Sequence, residues 1–498
     1  MASSQAGPID ELVQYKKAVL RDDRRDTAIR SDAEATLNFI SNRKTAFFNK
    51  NDSRPAIHDR KPSINAAIPV HMAYNHPVSI SRPMMVSYEQ PFSYDTQYPT
   101  EKEKDIEVHA AAPSHDHHKV VDPSTPLTWT ERLKHFTFAW YACTMSTGGV
   151  AFVLSVIPNR FDGLTGLGTA MFVVNIILFI AFTTIMIARF LIHPGTLKHS
   201  LSNPHEGFFF ATFWLSFATM ITNTTAYGIP NSGPWLIEAL WVAFWIYTVC
   251  TTLIAIIYYH VLFTVKKLVI TNVLPGWVLP IFPAMLVGTL ASAIARFQPA
   301  HRALPMLVTG LAYQGLGMMV AMMMYGLYFG RLLTSGLPAD ASRPAMFIAV
   351  GPPAFTALAF IGMAQDVVIT KIFPNYIKLE GITDQSLIPN MVQLLALLAA
   401  IFLWVFAFWC FGIAVLATIE AIPRNDFHLN WYAYVFPNVG FTIATIQIGV
   451  RLNSTAIKLV GTGMAAVLFF LWILIVFCHI KAVVNKMILW PGKDEDAH

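Results

Sequence analysis

Ten apolar stretches follow Thr130, near 136–157, 168–192, 207–228, 235–263, 275–297, 303–329, 345–365, 389–419, 429–451 and 455–480. Each is long enough for a helix to cross a bilayer core of about 30 Å. They alternate in kind. The odd stretches are interrupted: the first by Gly148-Gly149, the third at its end by Asn223-Thr224-Thr225 and Gly228-Ile229-Pro230, the fifth by Pro275, Pro280 and Pro283, the seventh by Gly351-Pro352-Pro353, the ninth by Pro437 and Gly440. The even stretches keep proline at their starts, Pro305 and Pro389, where a helix tolerates it. Backbone breaks at membrane depth survive only against protein or a water-filled cavity. The pattern therefore predicts an all-α membrane protein. Ten transmembrane helices form five parallel hairpins, the five kinked odd helices enclosing a central pore and the straighter even ones standing outside.

Composition agrees: 54% of residues are hydrophobic and 13% charged, about half the charged share of a soluble domain. Lys and Arg set the orientation. Arg132, Lys134, Arg189, Lys198, Lys266, Lys267, Arg331, Arg343, Arg424, Lys481, Lys486 and Lys493 flank one side, and fewer (Arg160, Arg296, Arg302, Lys371, Lys378, Arg451, Lys458) flank the other. Both termini are thus expected in the cytosol. Residues 1–128 differ in kind, polar and proline-bearing, and read as a largely disordered cytosolic tail with an amphipathic helix near 9–40. A transport domain over 129–485 and a short cytosolic tail over 486–498 complete the organisation. No apolar signal-peptide core opens the chain, so the first span is expected to direct insertion. His109, His115, His117 and His118 read as a solvated tail rather than a metal site, and Cys143, Cys250, Cys410 and Cys478 as small core residues without CxxC spacing. No cofactor, metal or nucleic-acid partner is implied.

The chemistry that remains suits anions. Thr144-Met145-Ser146-Thr147-Gly148-Gly149 offers hydroxyls and close backbone approach to a passing anion, or a small-residue packing face. Thr224 sits at the break of the third span. Arg189 near one end of span two and Arg296 near the other side of span five either snorkel to headgroups or face a polar path. The candidate substrate contacts are Arg189, Ser146, Thr147, Thr224 and Arg296. His193, His205 and Glu206 are candidate proton-relay residues, as are Glu238 and Asp366 near span ends. Pro437 bends the ninth segment, and a phenylalanine beside that bend is a candidate hydrophobic gate. No GxxxxGK[ST], HExxH or GxSxG occurs, which argues against an ATP-driven pump and offers no catalytic centre.

Arg132-Leu133-Lys134-His135-Phe136-Thr137, Thr144–Gly149, His193-Pro194-Gly195-Thr196-Leu197, Asn203-Pro204-His205-Glu206-Gly207, Gly351–Thr356 and Trp431–Phe441 follow one another in the order of a known family. Over 131–485 the chain resembles the tellurite-resistance/dicarboxylate transporter family, most of all its fungal malate permease branch. That family also holds plant slow anion channels and fungal sulfite exporters. The resemblance implies ten helices in five hairpins, an inner five-helix pore, a homotrimer, a gate mapping onto Phe436 (with Phe441 second), and a basic anion contact mapping onto Arg189. The third span departs from the pattern in lacking a mid-helix proline.

The expected function is transport of C4-dicarboxylates such as malate, with succinate or fumarate also considered, across the plasma membrane. Moving one charge across 100 mV costs about 2.3 kcal/mol, so importing a dianion into an inside-negative cell costs roughly twice that and calls for proton coupling. The alternative is a passive anion channel or a sulfite exporter of the same fold. A membrane receptor or embedded enzyme is the third reading, and no converging acid, base and nucleophile supports it.

Overall fold

The computed structural model describes residues 128–265, 269–382, 384–422 and 426–490. The N-terminal tail, its expected helix near 9–40 and its histidines lie outside the described residues, as does most of the C-terminal tail. Among the described residues the spans are built on ten helices: α1 (Tyr141–Val156), α2 (Leu164–Ile192), α3 (Pro204–Asn223), α4 (Trp235–Val265), the short α5 (Val287–Ile294), α6 (Ala300–Ser335), α7 (Gly351–Ile369), α8 (Ile388–Ala421), α9 (Phe436–Arg451) and α10 (Thr455–Val484). No strand occurs among the described residues. Among the described residues, nine helical spans are long and apolar enough to cross a membrane. The span built on α3 is not one of them, since it opens on Glu206 and carries Thr212, Ser216, Thr219, Thr222 and Asn223.

The interruptions of the odd segments become changes of helix type. A 3-10 turn, Phe138–Trp140, leads into α1. Before α5 stand a 3-10 helix, Pro275–Ile281, and a single α-turn, Phe282–Met285. The 3-10 helices Asp340–Val350 and Leu429–Tyr434 precede α7 and α9. Prolines explain three of these junctions: each removes an N–H that an α-helix interior needs, and each is tolerated in the first turn, as at Pro352, Pro353 and Pro437. The third segment has no such proline, and its break is a π-helical turn, Thr224–Gly228, at the C-terminal end of α3. The first segment departs from expectation. Gly148-Gly149 does not break α1, which runs through it. The pair instead lets neighbours close in, because a Cβ at Gly148 would overlap the Thr219 side chain.

α1 packs on α3, α3 on α5, α5 on α7, α7 on α9, and α9 back on α1. This closes a ring of five. Each odd helix is backed by the even helix that follows it. Burial separates the two layers. In the four inner spans built on α1, α5, α7 and α9, 83–94% of the most apolar stretch is buried, against 17–33% in the even helices. The even helices turn long apolar rows outward, including Ile177, Ile180, Ile256, Met319, Phe402, Val405 and Phe470. Such surface is stable only against lipid or another apolar protein face.

Candidate functional site

Two cavities lie inside the ring. One, of about 380 Å³, is lined by the N-terminal parts of the inner segments: Met145, Thr212, Asn272, Trp277, Ser342 and Asn430 among others. The second, of about 280 Å³, is lined by their C-terminal parts: Thr219, Thr222 and Thr225 of α3 and its π turn, Thr289 and Ser292 of α5, Gln447 of α9, and Arg296. Like ends gather in like cavities, so the five inner helices run in one direction. Pockets that hold small organic ligands begin at about 300 Å³.

Three phenyl rings stand between the cavities. Phe436 lines both, Phe282 lines the N-terminal cavity and Phe355 the C-terminal one. Their ring centroids are 5.2 Å apart for Phe355–Phe436, 5.7 Å for Phe282–Phe355 and 6.1 Å for Phe282–Phe436. Each ring is at most 6% exposed. Glycines make room for them. A Cβ at Gly440 would sit 2.7 Å from Phe355 Cδ2, one at Gly351 2.8 Å from Phe282 Cζ, and one at Gly149 3.4 Å from Phe436 Cδ2. The ring of helices thus seats an apolar plug on glycine faces of its own walls.

Among the described residues lining the C-terminal cavity, Arg296 is the one charged side chain. It follows α5 in a 3-10 turn, Ala295–Phe297. Its Nη2 donates to the Ser292 carbonyl at 3.1 Å and lies 3.0 Å from Asp366 Oδ1 of α7. Its Nε is buried without a partner. Arg451, the last residue of α9, donates to the Gln365 side chain beside Asp366. Two guanidinium groups therefore converge on the last turns of α7. The cavity's threonine and serine hydroxyls each donate to a carbonyl of their own helix, as Thr219 does to Ser216 and Ser292 to Thr289. Rotation of a hydroxyl would turn that donor into the cavity.

The other residues singled out from the sequence are placed elsewhere. Arg189 lines neither cavity and does not reach solvent. Its Nη1 is 2.7 Å from Glu206 Oε1, and both side chains are at most 5% exposed. The pair ties the end of α2 to the start of α3. Ser146 donates to the Tyr432 carbonyl at 3.3 Å, and Thr147 accepts from Trp472 Nε1 at 3.0 Å, so both face neighbouring helices. Thr224, the first residue of the π turn, donates to the Met220 carbonyl of α3 and stands one residue from the cavity-lining Thr225. Phe441 stacks on Trp404 and Phe411 of α8, away from both cavities. His193 meets the Thr130 carbonyl at 2.8 Å in an exposed position, Glu206 is held by Arg189, and the His205 side chain lies outside the described residues. Glu238 pairs with Arg302 at 2.6 Å. Sequence reasoning missed Phe282, Phe355 and the stripe Thr219–Thr222–Thr225. The stripe had a signal, since its three-residue spacing puts hydroxyls on one helix face.

An apolar outer layer around a ring of helices with two internal cavities and a guanidinium lining one of them fits a membrane transport protein. The chain belongs to the voltage-dependent anion channel family (SLAC1), whose model matches residues 135–480. Members of that family are transporters or channels, not enzymes. Among its relatives is the malic acid transport protein of Schizosaccharomyces pombe, 34% identical over 390 residues, covering 77% of this chain and 87% of the relative. A putative malic acid transport protein of the same organism is 34% identical over 366 residues, covering 74% and 84%. The sulfite efflux pump SSU1 of Trichophyton rubrum is 26% identical over 347 residues, covering 69% and 89%.

Proposed function

We propose that this protein carries C4-dicarboxylates, malate foremost, through the five-helix ring, coupled to protons. The observation that carries the reading is the pairing of Arg296, alone in charge in its cavity, with a three-ring apolar barrier between that cavity and the next. Arg296 holds a substrate carboxylate. Thr219, Thr222, Thr225 and Ser292 supply hydroxyls to the second carboxylate and the single hydroxyl of malate. Phe436 is the gate, because it is the ring both cavities share. The relatives named for malic acid transport support malate above sulfite. The Lys and Arg distribution supports an orientation with both termini in the cytosol, which sets the Arg296 cavity on the opposite side of the membrane, and the proposal takes that membrane to be the plasma membrane. The outward apolar rows of the even helices serve lipid contact and assembly of a homotrimer.

Proton coupling rests on energetics: a dianion entering against an inside-negative potential of 100 mV needs roughly twice 2.3 kcal/mol from another gradient. The test is labelled-malate flux in proteoliposomes with pH gradient and voltage imposed separately. Flux driven by the pH gradient against an opposing voltage supports the coupled carrier. Flux that tracks voltage alone makes the protein a passive anion channel, and flux of sulfite without malate makes it an exporter of the second kind.

A further inference from the structure

The ion pair Arg296–Asp366 sits where the external cavity meets α7. Its two members are unequally placed. The Asp366 side chain is fully buried, whereas one third of the Arg296 side chain is exposed. The carboxylate oxygens of Asp366 have no hydrogen-bond donor in good geometry, and the Arg296 guanidinium at 3.0 Å is their charged partner. A buried carboxylate held by one guanidinium stays ionised only while that guanidinium faces it. A substrate carboxylate in the cavity competes for the same guanidinium. When Arg296 turns to the substrate, Asp366 is left with a charge that burial penalises, and a proton removes the penalty.

We propose that Asp366 is the proton-coupling group of this transporter: it binds a proton as a substrate carboxylate takes Arg296, and releases it as the substrate leaves and the pair re-forms. The proposal rests on the dicarboxylate-transport reading above. The balance is simple. One proton enters the site with each dianion, and where Asp366 releases it on the side the substrate leaves, the charge carried across by the loaded site falls from two to one. Low external pH frees Arg296 in advance and tightens external binding, and high pH closes the ion pair and weakens it.

The surroundings leave Asp366 without a rival. From α9 the charged group is Arg451, held by Gln365. No titratable residue occurs along α5, nor on α8 from Ile388 to Trp409. On α6 the groups nearest that end are the exposed His301 and Arg302, the latter paired with Glu238. Lys371, after α7, is exposed, and Arg343 and Asp340 belong to the 3-10 helix at the opposite end of α7. Arg296 and Arg451 are fixed cations, so both favour the ionised form of Asp366 until substrate draws Arg296 off.

The experiment uses the purified full-length protein and L-malate. Malate is added to wild-type protein in weakly buffered solution near pH 7, where it is already a dianion, and proton uptake is followed with binding. Uptake of about one proton per bound malate is expected. Asp366→Asn is expected to bind malate with no uptake. Its apparent affinity should stay within about twofold between pH 5 and pH 7.5, whereas that of the wild type weakens at least about tenfold. Malate binding and flux by wild-type protein without proton uptake overturn the proposal and leave the transport reading standing. So does an Asp366→Asn variant that keeps the uptake. Wild-type protein that neither binds nor carries malate overturns the transport reading and this inference with it. If Asp366→Asn does not fold, the wild-type uptake decides.

Discussion

Arginine illustrates how residue type and location separate. Arg189 and Arg296 look alike in sequence, each near a span end, and Ile-Ala-Arg-Phe recurs around both. The structure gives them different neighbours. Arg189 is buried against Glu206, so removing it leaves a carboxylate buried and unpaired. Arg189→Ala should cost about 3–5 kcal/mol of stability, and Arg189→Met with Glu206→Leu should recover most of it. Thermal unfolding in detergent checks this. A variant of unchanged stability that loses malate transport would return Arg189 to the substrate path. For Arg296 the expected loss is in binding. In an Asp366→Asn background, which avoids stranding the carboxylate, Arg296→Gln should weaken malate affinity at least about tenfold, or about 1.4 kcal/mol. Equal affinity in the single and double variants would remove Arg296 from the site.

At the scale of elements, the breaks of the odd segments were legible because proline and glycine carry their geometry with them. Pro275 opens a 3-10 helix, and Pro283, Pro352, Pro353 and Pro437 stand in the first turn of the α-helices that follow 3-10 segments. The break of the third segment falls where Asn223-Thr224-Thr225 and Gly228-Ile229-Pro230 mark it, but nothing in those residues specifies a π turn. Gly148-Gly149 was misleading, because a glycine pair signals close approach as readily as a break. Phe436 could be singled out beside Pro437, but its partners Phe282 and Phe355 could not. They meet it only because the ring closes, and contact across a ring leaves no local pattern. The glycines that seat these phenyl rings give a test. Gly440→Ala puts a methyl group against the Phe355 ring, with an expected cost of about 1–3 kcal/mol from overpacking. Combining it with Phe355→Leu should restore part of that loss. Strict additivity of the two in thermal unfolding would show that Gly440 does not seat the ring.

On the scale of the whole molecule, the alternation of broken and unbroken segments became an alternation of buried and exposed helices. The apolar outer surface is the consequence. Val405, midway along α8 and 54% exposed, faces that surface. Val405→Arg should cost about 2.5–3.5 kcal/mol of insertion free energy and lower the yield of folded protein in membranes. Normal yield would place that face in water. The central claim is that anions pass through the ring and that Phe436 closes it. Its most direct test is voltage-driven malate and chloride flux through Phe436→Ala and wild-type protein, reconstituted at equal amounts of folded protein. Loss of the ring joins the two cavities, so flux should rise at least about tenfold, equivalent to about 1.4 kcal/mol of barrier. Unchanged flux through a folded variant would contradict the account.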